Sequence, residues 1–282
     1  MKILTVDLED WFHILDFTET EEIFKWGEFE TRIDEGLDYI LSALSDTGYR
    51  ATFFVLGWIA EKHPHVIKKI LAAGYEIGNH SYSHLLIYKY KKEIVKQDIL
   101  KSNKLLQDIT GERIKYFRAP GFSIKRDTNW FFDLLSEMEI QIDSSIFPTS
   151  RGHGGYDGFS STLPCKITMG GSIIKEFPIN TFSLLRKNIV FSGGGYFRLL
   201  PYSIQKFLYK KSDYVMTYFH PRDFDYGQPI LENLTQYRKF KSYVGLKNSR
   251  NKFEKLLHDF EFIDIKTANE QIDWDNAKTI TL

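Results

Sequence analysis

The sequence predicts an α/β fold, a closed (β/α) barrel formed by a single domain. Short apolar segments with strand character alternate with amphipathic helical segments, which is typical of successive βαβ units around a parallel sheet. The chain has 282 residues, a normal length for one α/β barrel. Polar clusters follow several predicted strands, at the end of the barrel where parallel strands bring functional side chains together.

The first half of the chain follows this alternation closely. Gly48, Gly74 and Gly111 each come directly after an amphipathic stretch, as expected for glycine at helix ends. The predicted strands are 2–6, 51–56, 75–77, 116–118 and 140–142. The predicted helices are 31–45, a segment that begins at Pro64, 92–109 and 128–137.

The alternation breaks between about residues 147 and 195, where glycine-rich segments surround one predicted strand at 173–178. We interpret this stretch as a loop-rich insertion that shapes one rim of the barrel. Regular elements then return. They are a helix at 202–210, a strand at 214–219, a helix at 251–260 and a strand at 262–266. One domain over residues 1–282 is therefore predicted.

Composition narrows the class of protein. Lysine plus arginine and aspartate plus glutamate both number 37, so no strongly basic surface is implied and nucleic acid is not an expected partner. The single cysteine, Cys165, excludes an internal disulfide and a multi-cysteine zinc site. No apolar stretch approaches the length of a signal peptide or a membrane span, and a cytoplasmic location is the expectation.

The most informative stretch contains His80 and His84, four positions apart after a predicted strand. If the segment forms a helical turn, both imidazoles project from the same face. Two neutral imidazoles held in this way are part of a site for zinc or a similar divalent ion. A carboxylate from elsewhere would complete such a site and leave positions open for water and substrate.

Several motifs resemble, in order and spacing, those of the polysaccharide deacetylases, carbohydrate esterase family 4. The motifs are Asp7, His80-Ser-Tyr-Ser-His84, Arg118-Ala-Pro-Gly121, Asp143-Ser-Ser and His220. The resemblance spans about residues 1–270 and implies the NodB-homology fold, a distorted (β/α) barrel. Two further stretches, 191–202 and 218–225, resemble the subgroup found with bacterial exopolysaccharide and cell-surface glycan clusters.

The resemblance also implies roles for individual residues. Asp7 corresponds to the catalytic base, and Arg118 to the arginine that orients this base and keeps it ionised. The backbone N–H of Gly121 corresponds to the donor that polarises the acetyl oxygen. His220 corresponds to the general acid that protonates the departing amine, and Asp143 to the acid that tunes this histidine.

His80 and His84 correspond to two metal ligands, whereas the third ligand departs from the common family pattern. Most members carry two adjacent aspartates, but Leu8 follows Asp7 here. Some members use an acid-x-acid arrangement, which favours Glu9, because alternate residues of an extended strand face the same side. Asp10 is the alternative if the backbone turns after Leu8.

Substrate contacts are less well defined by the sequence. The family often has a tryptophan after the aspartate at position 143, and Phe147 is the candidate to replace it as the apolar wall for the acetyl methyl group. Tyr196 and Arg198, after the triple glycine, are candidates for sugar contacts.

The sequence therefore predicts a metal-dependent carbohydrate N-deacetylase that acts on an acetylated sugar or glycan. Zinc is the expected ion, with nickel or cobalt as alternatives. An O-acetyl esterase or cyclic-amide hydrolase on the same fold is one alternative function. A carbohydrate-binding protein with a degenerate site is the other.

Overall fold

The computed structural model describes residues 1–15, 22–150, 152–184, 187–231 and 234–282. Within these residues the strands are β1 (Lys2–Ile3), β2 (Thr5–Leu8), β3 (Thr52–Val55), β4 (Glu76–Asn79), β5 (Tyr116–Phe117), β6 (Ile142–Asp143), β7 (Cys165–Met169), β8 (Ser172–Glu176), β9 (Phe182–Leu184), β10 (Lys187–Ile189), β11 (Val215–Met216) and β12 (Thr279–Thr281). The helices are α1 (Ile33–Thr47), α2 (Gly57–Lys62), α3 (Pro64–Ala72), α4 (Lys92–Thr110), α5 (Trp130–Glu137), α6 (Gly194–Leu199), α7 (Tyr202–Lys211), α8 (Gln236–Tyr243), α9 (Leu246–Asp259) and α10 (Ile265–Gln271).

These elements form two compact units. The first unit contains Met1–Ala51 and Phe182–Asp264, and the second contains Thr52–Thr181 and Ile265–Leu282. In the part of the chain that the structure describes, no helix is both long enough and apolar enough to cross a membrane.

The second unit is built on a sheet with the strand order β12, β7, β8, β6, β5, β4, β3. Neighbouring strands pair in parallel except β7 and β8, which are antiparallel. Parallel sheets are covered on both faces, and the fully buried Phe53 and Phe54 of β3 fit this rule. The register aligns Val55 with Asn79, so β3 and β4 end together just before His80.

The first unit joins two segments that are far apart in the sequence. β1 pairs in parallel with β11, and a single bridge continues this pairing between Val6 and Phe219. The rings of Phe219, Phe224 and Phe253 pack together, with centroids 4.8 to 5.8 Å apart. This pairing brings Asp7 and His220, the next residue on each segment, side by side.

Most predicted elements of the first half are present, with ends shifted by a few residues. The predicted helices at 31–45 and 92–109 are α1 and α4, and both end at a left-handed glycine, Gly48 and Gly111. The predicted strand at 262–266 is wrong. Ile263 forms only an isolated bridge to Ile3, and α10 begins at Ile265.

The predicted insertion at 147–195 is more regular than expected, because β7 and β8 lie within it and belong to the main sheet. Cys165 and Ile167 of β7 are buried while Lys166 is partly exposed, so the alternation of a half-buried strand was present in the sequence. The triple glycine at 193–195 leads directly into α6, which begins at Gly194.

A close contact in the first unit positions the segment that follows His220. A Cβ atom on Gly36 of α1 would lie 1.9 Å from the carbonyl oxygen of Pro221. Alanine is favoured over glycine within a helix by about 1 kcal/mol, so propensity alone predicts a gain in stability. We expect Gly36→Ala instead to lower the free energy of unfolding by about 1–3 kcal/mol, because backbone atoms must move.

Chemical denaturation measures this difference, with Gly27→Ala as the matched control because no atom lies within 4 Å of its added Cβ. A Gly36→Ala protein as stable as the Gly27→Ala protein would contradict the contact.

Candidate functional site

Three predicted functional residues lie together in the first unit. The Nε2 atom of His220 is 3.9 Å from Oδ2 of Asp7. Glu9 joins them, and one potential ligand atom from each of the three side chains lies within 4.8 Å of the others. Asp7 and Glu9 are buried, whereas the His220 side chain is 22% exposed. The predicted base, the predicted general acid and a carboxylate ligand candidate thus form one cluster.

The backbone at the end of β2 explains why two acids reach this cluster. The Asp7 N–H donates to the carbonyl of Phe219 at 2.8 Å, which anchors the strand beside the His220 segment. Leu8, between the two acids, is completely buried. The Glu9 N–H donates to the carbonyl of Asp7 at 3.0 Å, so the chain makes a tight turn at Leu8, and Asp7 and Glu9 both lie near His220.

Asp10 has a different environment from Glu9. Its carboxylate accepts hydrogen bonds from the Trp11 N–H at 2.7 Å, the Thr31 hydroxyl at 2.6 Å and the Arg32 N–H at 3.0 Å. Thr31 and Arg32 immediately precede α1. Asp10 therefore fixes the start of this helix, and its oxygens are already used by three donors.

In the second unit, the segment from His80 to His84 does not form the helical turn that would place both imidazoles on one helix face. Ser81 and His84 both have left-handed backbone conformations, with φ of 67° and 53°. The two rings are nevertheless close, with centroids 5.5 Å apart, and both residues are buried. Nδ1 of His80 lies 2.7 Å from the carbonyl oxygen of Arg118. Because a carbonyl only accepts, Nδ1 carries the proton and Nε2 has the lone pair that a metal ligand needs.

Hydrogen bonds from two residues that the sequence analysis missed hold this segment. Asn79 accepts from the Ser81 N–H at 2.7 Å, and Asp98 of α4 accepts from the backbone N–H groups of Tyr82 and Ser83 at 2.8 and 3.0 Å. The Ser83 hydroxyl also bonds to Asp98. Burial raises the pKa of Asp98, although these hydrogen bonds favour its ionised form. In the sequence, polar residues on the inner face of the α4 segment were the feature that could have indicated this role of Asp98.

Arg118 is fully buried in the second unit. Its guanidinium donates to the carbonyl and hydroxyl of Ser144 at 3.2 and 2.9 Å, and lies over the ring of Phe54 at 4.2 Å. A planar cation in contact with an aromatic face is held in a defined orientation. That Arg118 orients Asp7 and keeps it ionised stays a prediction.

Asp143 has a second buried acid, Glu176, as its neighbour. The two residues are aligned in the register of β6 and β8. Asp143 accepts from the Ser145 hydroxyl at 2.6 Å and the Ser145 N–H at 3.1 Å. Burial raises the pKa of Asp143, and burial together with the charge of Asp143 raises that of Glu176 well above its usual value. Glu176 is therefore the acid expected to keep a proton, and sequence reasoning missed it.

His220 has its own acidic partner, Asp223, three residues further along. Nδ1 of His220 is 3.0 Å from Oδ2 of Asp223, and Arg198 donates to the other carboxylate oxygen at 2.8 Å. Burial alone would lower the pKa of His220. The hydrogen bond and charge of Asp223, with the charges of Glu9 and Asp7, outweigh burial and raise this pKa to about 9. Burial likewise opposes the ionisation of Asp223, but the Arg198 charge and His220 lower its pKa to about 2.

The predicted substrate contacts have different environments. Phe147 is buried, and its ring centroid lies 5.5 Å from that of Phe122. Gly121 is left-handed, with φ of 61°, and its predicted role as a donor stays a prediction. Tyr196 is 39% exposed on α6 and remains available for a sugar. The sugar contact predicted for Arg198 is corrected, because this side chain is buried and donates to protein oxygens.

Comparison with known families finds two family models that match parts of this chain. Residues 27–140 match the family model described as polysaccharide deacetylase. The match covers less than half of the chain, and that part of the chain is similar to the polysaccharide deacetylases. Residues 144–270, which include His220, match a second model, described as a domain of unknown function, DUF3473.

Relatives with assigned names match only part of this chain. A peptidoglycan-N-acetylglucosamine deacetylase of Bacillus cereus is 34% identical over 37% of this chain and 40% of its own length. A chitooligosaccharide deacetylase of Sinorhizobium fredii is 29% identical over 48% of this chain and 62% of its own length. The chain thus spans less than two thirds of each of these relatives.

A solved structure shares the fold across the whole chain. The crystal structure of a putative polysaccharide deacetylase from Mycobacterium smegmatis has a TM-score of 0.64 and 18% identity, and the match covers 100% of this chain and 94% of that one. The predicted α/β fold, the distorted barrel of the NodB-homology type, is confirmed.

The hydrogen bonds from Asp98 lead to a prediction about metal binding. Asp98→Asn keeps the size of the side chain but places an amide N–H₂ against backbone or hydroxyl donors of the histidine segment. Residues that orient ligands in this indirect way typically change metal affinity by about 10–100-fold, and we expect weakening of at least about tenfold. Titration of the purified protein with zinc measures the affinity. Asp108→Asn, on an exposed position of the same helix, is the control, and equal affinities would contradict the prediction.

Proposed function

We propose that this protein is a metal-dependent hydrolase that removes N-acetyl groups from a sugar or glycan, in the biosynthesis of a cell-surface polysaccharide. The convergence of Asp7, Glu9 and His220 within 4.8 Å carries the proposal, because it joins a base candidate, an acid candidate and a ligand candidate. The match of residues 27–140 to the polysaccharide deacetylase model and the names of the two relatives support the substrate class.

A divalent metal ion fits the chemistry of the proposed ligands Glu9, His80 and His84. Two imidazoles and one carboxylate are a common ligand set for zinc in hydrolases, and nickel or cobalt are alternatives. The carbonyl that accepts from Nδ1 of His80 leaves the other ring nitrogen to the ion, as in many metal sites. When bound, such an ion polarises the acetyl carbonyl and makes water more acidic.

The roles of the protein groups follow from their chemistry. Asp7 accepts a proton from the attacking water, and the N–H of Gly121 donates to the acetyl oxygen. His220 donates a proton from Nε2 to the departing nitrogen as the carbon–nitrogen bond breaks. Acetate and a free amino sugar are the products.

Glu9 is the proposed third ligand, because the Asp10 carboxylate is already bonded at the start of α1. Glu9→Ala and the double variant His80→Ala/His84→Ala are expected to lose bound metal. Asp10→Ala is expected to retain metal but to lose about 0.5–2 kcal/mol of stability, the usual cost of removing a helix-start acceptor.

Elemental analysis of the purified variants, combined with denaturation curves, distinguishes these outcomes. Metal loss in Asp10→Ala together with full retention in Glu9→Ala would exchange the two assignments. Full retention in the double histidine variant would refute the proposed site.

Acetate release from a panel of N-acetylated sugars and glycan fragments, with added zinc, nickel or cobalt, tests the activity directly. Removal of a general base typically costs about 10²–10⁴-fold in rate. Asp7→Asn should therefore retain metal and release acetate more slowly by such a factor. Release only from O-acetylated substrates would favour the esterase alternative. Metal binding without turnover of any substrate would favour a carbohydrate-binding protein.

A further inference from the structure

We propose that Asp223 is the residue that positions His220. In this proposal Arg198 holds the Asp223 carboxylate, and Gly194, which has no side chain, leaves the space that the carboxylate occupies. This inference rests on the proposed function, in which His220 protonates the departing amine. It concerns the segments 191–202 and 218–225, which the motifs of the general family do not explain.

The hydrogen bonds of Asp223 define the state of the imidazole. Oδ2 of Asp223 accepts from the backbone N–H of His220 at 2.9 Å and lies 3.0 Å from Nδ1 of the same residue. A carboxylate oxygen can only accept, so Nδ1 must carry a proton. Nε2, which lies 3.9 Å from the Asp7 carboxylate, is then the nitrogen that exchanges a proton with the substrate.

This arrangement serves both halves of the proton transfer. Before the transfer, His220 is an imidazolium with a proton on each nitrogen. The Nε2 proton moves to the amine nitrogen as the carbon–nitrogen bond breaks, and the remaining neutral ring keeps its Nδ1 proton on Asp223. The ring need not rotate or change tautomer between these states, which is the function of an orienting carboxylate beside a catalytic histidine.

Arg198 holds the other side of the same carboxylate. Its Nε donates to Oδ1 of Asp223 at 2.8 Å, and its Nη1 donates to the carbonyls of Ser242 and Val244, each at 2.9 Å. Both Asp223 and Arg198 are almost completely buried. The carboxylate is thus fixed at one oxygen by the histidine and at the other by the guanidinium, so it has little freedom to rotate.

The glycines at the start of α6 make this arrangement possible. A Cβ on Gly194 would lie 1.8 Å from Oδ2 of Asp223, the oxygen that bonds to His220. A Cβ on Gly193 would overlap the ring of Tyr218, also at 1.8 Å. For Gly195 the nearest atom is Nη2 of Arg198 at 4.0 Å, so the third glycine is not required by contact. The segments 191–202 and 218–225 therefore pack against each other at Asp223.

The sequence analysis assigned the tuning of His220 to Asp143. In the second unit, the Asp143 carboxyl accepts from Ser145 and is adjacent to Glu176, and burial raises its pKa. The hydrogen bond to Nδ1 of His220 is instead made by Asp223. The structure thus favours Asp223 as the positioning residue.

The first test is Asp223→Asn, which conserves size but introduces an amide that can donate to Nδ1 and permit the other tautomer. We expect kcat for acetate release to fall by about 10³–10⁴-fold, with a much smaller change in KM. In the metal-free protein, at a pH where the ring is neutral, nitrogen-15 spectra of labelled histidine should show Nδ1–H for His220 in the native chain and a different tautomer or a mixture in Asp223→Asn. His220→Gln assigns the signals.

The second test uses adjacent glycines as a matched pair. Gly194→Ala should displace the Asp223 carboxylate without altering any charge, and we expect kcat to fall at least tenfold and the His220 signals to change. Gly195→Ala should leave both unchanged. Asp225→Asn is a structural control. Asp225 lies two residues after Asp223 and forms a partly buried ion pair with Arg32 at 2.6 Å, so the substitution weakens this pair without changing the partner of the His220 ring. It should reduce stability but keep the native tautomer.

The outcomes separate this inference from the proposed function. Native His220 signals and full kcat in Asp223→Asn would overturn the role of Asp223. If Asp223→Asn does not fold, Gly194→Ala decides, and native behaviour in that variant would overturn the inference. If the native chain releases no acetate from any substrate, the proposed function fails, whereas the spectra of the metal-free variants still test whether Asp223 fixes the ring.

Discussion

The parallel pairing of the first strand region with the segment around residues 215–219 is the constraint on which the cluster of Asp7, Glu9 and His220 depends. Backbone hydrogen bonds align Val6 with Phe219, and the next residue on each segment is Asp7 or His220. Residues more than two hundred positions apart thus become neighbours through main-chain geometry alone. Side chains then only refine the distance between the proposed base and the proposed acid, which the pairing has already placed together.

Acidic residues of similar sequence context acquire different roles because their partners differ. Asp10 bonds to three donors at the start of a helix, whereas Asp7 and Glu9 lie against the imidazole of His220. Asp223 is kept ionised by a guanidinium and a histidine, while Glu176, buried next to another carboxyl, favours the protonated form. Local partners, and not the residue type, separate ligand candidates, orienting groups and structural acids.

The sequence predicted the alternating elements of the first half well, because each has its own apolar pattern and a glycine at its end. It failed where tertiary contacts decide the backbone. The histidine segment is not helical, because Asn79 and Asp98 bond its N–H groups and two of its residues are left-handed. Asp223 was partly predictable. It is the third residue of a helical turn that begins at Pro221, and an acid at this position is a common helix-start pattern. The partnership of Arg198 with Asp223 was not predictable, because no local pattern links residues 25 positions apart.

Close packing against glycine residues explains why the ion pair between Arg198 and Asp223 can support His220 rigidly. Gly36 meets the backbone of Pro221, Gly193 meets the ring of Tyr218, and Gly194 meets the Asp223 carboxylate. The backbone at these three glycines therefore packs closely against the segment that contains His220. In such surroundings a hydrogen-bonded charge pair is electrostatically stronger than in solvent, and an uncompensated charge is far more costly. The packing that strengthens the pair of Arg198 and Asp223 therefore also disfavours any rotation of Asp223 away from Arg198 or His220. Because Asp223 is held in this way, the imidazole of His220 is held as well.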